Sequence, residues 1–212
     1  MYERITSNKR RSALLVILFF GLIAALAALL GAATGMGRAG FVLAVVLVAA
    51  ALWAYAGSFT APFLLDDYRW IVEDPAVREF GSLRDHHAFD DRPLVVLTLG
   101  VNYALGGLDV KGYHAFNLAV HATAGLLLFG IIRRLIGRVN RRSSRALPAT
   151  GLAFAIALVW LIHPLQTQSV TYVIQRCESL MGMFLFLCLY GVVRASEARR
   201  ARPWHVLAVA AC

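Results

Sequence analysis

Two long stretches without any charged residue dominate the first third of this chain. Residues 12–37 and 39–65 contain no Asp, Glu, Lys or Arg. A helix needs about 20 apolar residues to cross a bilayer, so each stretch is long enough for one span. Of the 212 residues, 59% are hydrophobic and 16% are charged. Ordinary soluble domains have about 45–50% apolar residues and about 25% charged residues. This composition excludes a water-soluble enzyme and predicts an integral membrane protein.

The predicted fold is all-α: a polytopic transmembrane helix bundle of about five spans plus a partial one, with short interfacial helices in an outer loop. The expected spans are residues 13–33, 41–57, 113–132, 147–162 and 170–193. The uncharged stretch 93–108 is short and interrupted by glycines, so it is expected to lie at the membrane interface. The last apolar stretch, 204–212, is too short to cross, which suggests a fragment of a longer polypeptide.

Charged residues are sorted by sign along the sequence. Eight of the twelve acidic residues lie between positions 66 and 91, whereas arginines dominate the loops at 133–145 and 194–202. Basic loops stay on the cytoplasmic side, so the net charge of +9 indicates the cytoplasmic (inner) membrane rather than nucleic acid, with the acidic loop outside. Three regions follow: 1–57 with two N-terminal apolar spans, 58–111 with the outer acidic loop, and 112–212 with transmembrane hairpins and Arg-rich loops.

The orientation of the first span stays open. Lys9, Arg10 and Arg11 should also be cytoplasmic, but two full crossings would then return the acidic loop to the cytoplasm. Either the first helix does not fully cross, or residues 93–108 do, or the N-terminus is outside against its charge.

An acidic pair, Asp66 and Asp67, directly follows the second apolar stretch. Adjacent carboxylates repel each other, which raises the proton affinity of one and suits it to act as a base toward a hydroxyl. A helix N-cap is the more common role of such a residue, and the segment alone favours the cap. Asp74 before Pro75 is interpreted as a helix start. The cluster Asp85, His86, His87, Asp90 and Asp91 is interpreted as a solvated loop, because its spacing fixes no coordination geometry.

Two polar stripes follow helical spacing. His114, Asn117 and His121 share one face of an apolar helix and should face the bundle interior, for chemistry or for interhelical hydrogen bonds alone. A second stripe comprises Gln168, Thr171, Gln175, Ser179 and Gly182, with Arg176 and Glu178 beside it. A charge in a span is costly, so Arg176 and Glu178 call for pairing or a ligand, and a phosphate would suit Arg176.

Several sequence blocks resemble one family. They are Phe63-Leu-Leu-Asp-Asp-Tyr68, Arg92-Pro-Leu94, Gly112 through His121, and His163-Pro-Leu-Gln-Thr-Gln-Ser-Val-Thr-Tyr-Val-Ile-Gln-Arg176 followed by Glu178-Ser-Leu180. Over about residues 60–195 the chain resembles the N-terminal membrane region of the transmembrane and tetratricopeptide-repeat O-mannosyltransferases and their bacterial relatives. These enzymes are C-type glycosyltransferases. The sequence departs from the family in three respects. The family's further spans and C-terminal repeats are not in this sequence, and the apolar span before residue 34 is not part of the family's pattern.

The resemblance implies transfer of a mannose-like sugar from a polyprenyl-phosphate carrier to protein Ser or Thr hydroxyls, with inversion at the anomeric carbon. It makes Asp66 or Asp67 the catalytic base, which reverses the preference for a cap. The candidate substrate-binding residues are Arg92, His114, His163, Gln168, Arg176 and Glu178. The expected partners are the lipid-linked sugar, an acceptor protein and the bilayer. No cofactor or metal site is predicted, although a divalent cation stays open. The alternative is a non-catalytic polytopic scaffold or assembly subunit.

Overall fold

The structure, a computed structural model, describes residues 37–78, 92–142, 146–198 and 200–212. All regular elements within these ranges are helical, as predicted. The α-helices are α1 (Gly37–Ala54), α2 (Pro75–Arg78), α3 (Pro93–Gly106), α4 (Val110–Arg142), α5 (Ala149–Ile162), α6 (Thr167–Thr171), α7 (Arg176–Ala195) and α8 (Arg202–Ala211). Short 3-10 turns cover Ala56–Thr60, Pro164–Gln166 and Val173–Gln175, and a π-helical turn covers Tyr68–Val72.

Three helical segments are long and apolar enough to cross a membrane: Gly37–Ala54, Val110–Arg142 and Val173–Ala195. A fourth span is possible if Ala149–Ile162 and Pro164–Thr171, which are bent by 51°, count as one. The described residues thus contain three to four candidate spans. The predicted span 13–33 lies outside them, so the expected total of about five stays a prediction. Helix α3 has 14 residues, or about 21 Å at the usual rise, too short to cross alone.

Helix α4 is the centre of the bundle. Its most apolar stretch is 78% buried, against 28% for α1 and 22% for Val173–Ala195. Helices α1, α5 and α7 pack around it, and α8 packs along α7. Small residues allow these close approaches: a Cβ added at Gly125 of α4 would lie 2.5 Å from Leu161 Cγ of α5. In a bilayer such close packing replaces the hydrophobic effect as the main attraction between helices.

The chain between α5 and α7 is broken rather than helical throughout. We call residues 163–175 the broken segment; it contains α6 and two 3-10 turns. Pro164 restricts His163 to an extended conformation, so α5 ends at Ile162 as the sequence predicts. The expected span 170–193 corresponds to the candidate span Val173–Ala195, but its α-helical part, α7, begins only at Arg176, after the 3-10 turn Val173–Gln175. The second polar stripe therefore does not lie on a single helix face.

Candidate functional site

The acidic pair lies where the first loop, residues 55–74, meets the broken segment. Asp67 is only 1% exposed. Its Oδ2 accepts a hydrogen bond from the backbone N–H of Leu64 (3.0 Å), and its Oδ1 accepts one from the backbone N–H of Ile174 (2.8 Å). Each carboxylate oxygen thus accepts a hydrogen bond from a backbone N–H, one in the first loop and one in the broken segment. Burial raises the pKa of Asp67 above its ordinary value, although these hydrogen bonds and the nearby His114 favour the ionised form.

Asp66 has the opposite environment. The residue is exposed, and its side chain makes no hydrogen bond or ion pair with the rest of the described chain. Its backbone N–H donates to the hydroxyl of Tyr172 (3.0 Å), which fixes the main chain at this position. The pair is therefore divided into a buried anchor and an accessible carboxylate.

Backbone strain precedes the pair. Leu65 has a φ of 44°, in the left-handed region, where a residue with a Cβ costs about 1–2 kcal/mol. This kink separates Leu64, whose N–H bonds Asp67, from Asp66, whose N–H bonds Tyr172. The kink explains how adjacent aspartates reach different environments. Such outliers tend to cluster at functional sites.

Neither aspartate caps a helix by its side chain. Asp67 occupies the N-cap position of the Tyr68–Val72 turn but makes no side-chain cap bond there. The predicted cap at Asp74 is confirmed, because its Oδ1 accepts from the Ala76 N–H (2.8 Å) and α2 begins at Pro75.

The polar stripe on α4 points inward, as predicted. Its side chains donate hydrogen bonds to backbone carbonyls of other segments. His114 and Asn117 are fully buried and His121 is 3% exposed. His114 Nε2 donates to the Ala61 carbonyl (3.1 Å) in the first loop. Asn117 Nδ2 donates to the carbonyls of Tyr172 (3.4 Å) and Val173 (3.2 Å) in the broken segment. One helix face thus supports both sides of the acidic pair.

His121 performs the same task one turn further along α4. Its Nε2 donates to the Leu161 carbonyl (2.9 Å), which also accepts from the hydroxyl of Tyr55 (3.2 Å). The His121 ring stacks on Trp160, with 4.8 Å between centroids. These hydrogen bonds satisfy the Leu161 carbonyl, which has no partner within α5 because the helix ends before Pro164.

Arg176 is a buried cation with contacts inside the protein. It is fully buried; its Nε donates to Asn117 Oδ1 (2.8 Å) and its Nη2 to the Tyr113 carbonyl (3.2 Å). The guanidinium lies 4.3 Å from the ring centroid of Phe116, a cation–π contact. Glu178 is exposed, and no ion pair joins it to Arg176 in the described structure.

The other candidate residues lie at the surface. Arg92 is exposed at the start of α3 and borders a cavity of about 20 Å³ that Ile174 also lines. His163 is exposed at the end of α5, where its Nδ1 accepts from the Leu165 N–H (3.2 Å) and its ring lines an apolar groove of about 560 Å³. Gln168 is exposed on α6. The structure thus gathers Asp66, Asp67, His114 and Arg176, with Arg92 nearby. No side-chain hydrogen bond or ion pair joins these residues to His163, Gln168 or Glu178 within the described ranges.

Sequence reasoning missed Tyr172 and the backbone of Ile174. Tyr172 lies inside the block that carries the family resemblance, and its hydroxyl was the available signal. No signal marks Ile174, because its contribution is a main-chain N–H. Within the described ranges, no group of three or more His, Cys, Asp or Glu is placed to hold a metal ion. The acidic and histidine cluster at residues 85–91 lies outside the described residues.

Comparison with known proteins gives distant relatives of one kind. The chain is 28% identical over 177 residues to Protein O-mannosyl-transferase TMTC4 of Homo sapiens, covering 76% of this chain and 24% of that protein. It is 29% identical over 180 residues to Protein O-mannosyl-transferase TMTC1 of Homo sapiens, covering 77% of this chain and 19% of that protein. It is 34% identical over 128 residues to Protein O-mannosyl-transferase Tmtc3 of Drosophila melanogaster, covering 55% of this chain and 14% of that protein.

The chain is thus distantly homologous to part of these O-mannosyl-transferases, in agreement with the resemblance seen in the sequence. It spans less than a quarter of the length of the curated relatives named above. No family model matches it, and no solved structure matches it.

Proposed function

We propose that this chain forms the acid-bearing membrane part of a glycosyltransferase. The reaction moves a mannose-like sugar from a polyprenyl-phosphate carrier to a Ser or Thr hydroxyl of an acceptor protein, on the outer side of the cytoplasmic membrane. The homology to O-mannosyl-transferases supports the reaction class. The observation that carries the proposal is the exposed carboxylate of Asp66, held on a backbone that Tyr172 and Asp67 fix in place.

Asp66 acts as the general base. Its carboxylate takes the proton of the acceptor hydroxyl while the hydroxyl oxygen bonds to the anomeric carbon of the sugar. The bond between that carbon and the carrier's phosphate oxygen breaks, and the phosphate leaves with the electron pair. Attack from the side opposite the phosphate inverts the anomeric centre. A positioned base of this kind contributes about 10²–10⁴-fold to the rate.

Asp67 is a positioning residue. Both of its oxygens are engaged by backbone N–H groups, so they are committed to holding the first loop against the broken segment. The same reasoning makes His114, Asn117 and Arg176 supports of the site, since each is buried and contacts groups within the chain. Preorganisation by such supports is what keeps a catalytic group in productive geometry.

Arg92 is the better candidate for the carrier phosphate than Arg176. Arg176 has no exposed surface, whereas Arg92 is exposed and lies beside Ile174, whose N–H bonds Asp67. A guanidinium binds phosphate through paired charged hydrogen bonds. His163, Gln168 and Glu178 remain proposed contacts for the sugar, the acceptor or the lipid.

The test is mannose transfer by the full-length protein in membranes, with a labelled polyprenyl-phosphate mannose and a Ser/Thr-rich acceptor peptide. Asp66→Asn should lower turnover by about 10²-fold or more without loss of folded protein. The matched control is Glu73→Gln, an exposed acid in the same loop, which should retain activity. Full activity in Asp66→Asn would overturn the assignment of the base. No transfer by the unaltered protein would favour the alternative, a scaffold in which the polar groups only join helices.

A further inference from the structure

The end of α4 opposite the acidic pair forms a second pocket. Arg134 lies 20 residues after His114, or about 30 Å further along the helix. A cavity of about 950 Å³ opens there between α4, the start of α5 and the end of α7. Within the described part of the chain, its charged lining contains one carboxylate, Glu197, and six arginines: Arg133, Arg134, Arg138, Arg141, Arg142 and Arg194.

The charge of this basic pocket is not balanced by its own acid. Glu197 forms ion pairs with Arg134 and Arg138 (3.2 Å), and a longer one with Arg141 (3.9 Å). Among the described lining residues, Arg142 and Arg194 form no ion pair with Glu197, so positive charge exceeds negative charge there. Arginines bind phosphate oxygens strongly because their fork of donors matches the phosphate geometry. The pocket therefore suits an anionic ligand.

The pocket is held in shape by contacts from three helices. Arg133 Nε donates to Thr150 Oγ1 on α5 (3.2 Å). Arg138 Nη2 donates to the Val193 carbonyl on α7 (2.7 Å) and to the hydroxyl of Ser196. Arg194 lies over the ring of Trp204 on α8, 4.3 Å from its centroid. A guanidinium fixed in this way loses little freedom when a ligand binds.

Unused donors remain within the pocket. The Nε of Arg194 is buried and has no hydrogen-bond partner among the described residues. Arg141 and Arg142 are exposed at the mouth, and the Arg141 side chain is 66% exposed. A buried donor without a partner is costly, so a ligand oxygen at this site would remove a penalty.

Apolar surface next to the mouth indicates which anion fits. Val139 lines the pocket and is 55% exposed. Leu147 is 48% exposed, and reciprocal hydrogen bonds with Asn140 (2.8 and 2.9 Å) hold it close by. Because the pocket lies at the end of the candidate span Val110–Arg142, we expect this surface to border the membrane interface. Exposed apolar groups there would contact acyl chains.

We propose that the basic pocket binds the phosphate headgroup of an anionic phospholipid, with the acyl chains against Val139 and Leu147. The bound class is an acidic phosphodiester lipid from the leaflet at this end of the bundle. The inference does not depend on the proposed transfer reaction, because the pocket is at the other end of α4. Clusters of arginine beside a span are a general basis for recognition of such lipids.

The experiment measures lipid bound to the purified full chain in detergent, by native mass spectrometry. Phosphatidylglycerol is compared with phosphatidylcholine, which has the same phosphate but no net charge. The variant Arg141→Gln/Arg142→Gln removes two charges at the mouth. The matched control Arg38→Gln/Arg202→Gln removes two exposed arginines that do not line the pocket.

Phosphatidylglycerol should bind more tightly than phosphatidylcholine, and the pocket variant should bind it about tenfold more weakly, while the control changes little. An equal loss of phosphatidylglycerol affinity in the two double variants would overturn the assignment of the pocket as the binding site. The single variant Arg142→Glu, at an exposed position, tests the same point should the double variant not fold. Inorganic phosphate is added as a competitor; complete displacement of the lipid at equimolar phosphate would assign the pocket to a soluble anion and overturn the lipid.

Discussion

The carboxylate of Asp67 accepts a hydrogen bond from the backbone N–H of Ile174, 107 positions later in the chain. This contact joins the first loop to the broken segment at the residue that follows Asp66. It exists only because α7 begins late, at Arg176, so that the N–H of Ile174 is free to bond a side chain. An interruption in a helix has thus become part of the candidate site.

Asp67→Asn should destabilise the protein by about 1–3 kcal/mol, the cost of unsatisfied buried polar groups. Asn has one carbonyl oxygen, so its amide would face one of the two N–H groups that Asp67 now accepts. Thermal unfolding in detergent measures the effect. The comparison is Asp66→Asn, whose exposed side chain predicts a change near zero. Equal stability of the two variants would contradict the assignment of Asp67 as the anchor.

Stability should also depend on the pH through Asp67. Burial raises the pKa of Asp67 in the folded state above its ordinary value of 3.8. The folded protein therefore binds the proton more tightly than the unfolded chain does, and the resulting stability is fully present below pH 3.8. It is lost as the pH rises from there through the folded-state pKa.

Unfolding of the unaltered protein and Asp67→Asn at a series of pH values measures this dependence. The stability difference in favour of the unaltered protein should shrink with rising pH and then level off. A difference that grows over the same range would mean that the folded-state pKa is lowered.

Arg176→Lys should not restore the stability lost in Arg176→Gln. The guanidinium serves Asn117 Oδ1, the Tyr113 carbonyl and the Phe116 ring together, a geometry that an ammonium does not match. Hydrogen bonds from charged groups contribute about 1.5–3 kcal/mol each, so both variants should unfold at clearly lower temperature. A different result would favour a phosphate ligand for Arg176: Arg176→Gln would be stable but bind the lipid-linked sugar weakly, and Arg176→Lys would recover part of that binding.

Gly125→Val should weaken the packing of α5 on α4. The added Cβ would meet the buried Leu161 side chain at 2.5 Å, and overpacking of this kind costs about 1–3 kcal/mol. Gly137→Ala on the same helix is the matched control, because nothing lies within 4 Å of its added Cβ. Thermal unfolding should show a loss for the first variant and no loss for the second. Tolerance of valine at Gly125 would indicate that the two helices are not in close contact.

The sequence predicts the parts of this molecule that depend on local pattern. Uncharged stretches mark the spans, the period of His114, Asn117 and His121 marks an inward face, and Asp74-Pro75 marks a helix start. Pro164 ends α5 for a local steric reason. Each of these features is decided within one or two turns of helix.

The division of the acidic pair could not be predicted in this way. Asp66 and Asp67 are chemically identical neighbours, and their environments differ because of the φ of Leu65 and a backbone group 107 positions away. The break before Arg176 is equally non-local. A helical period continues through it, but Asn117 and Asp67 provide bonds for the backbone that an unbroken helix would satisfy internally.

Helix α4 also acts as a measure of membrane thickness. Between Lys111 and Arg133 it has no Asp, Glu, Lys or Arg. Lys111 and Arg133 are 22 residues, or about 33 Å, apart. That length is close to the hydrocarbon thickness of an average bilayer, about 30 Å. A thicker membrane would draw one of the two cations into hydrocarbon, or would straighten a tilted helix. The spacing of two charges on one helix thus selects the membranes in which both ends of the bundle meet water.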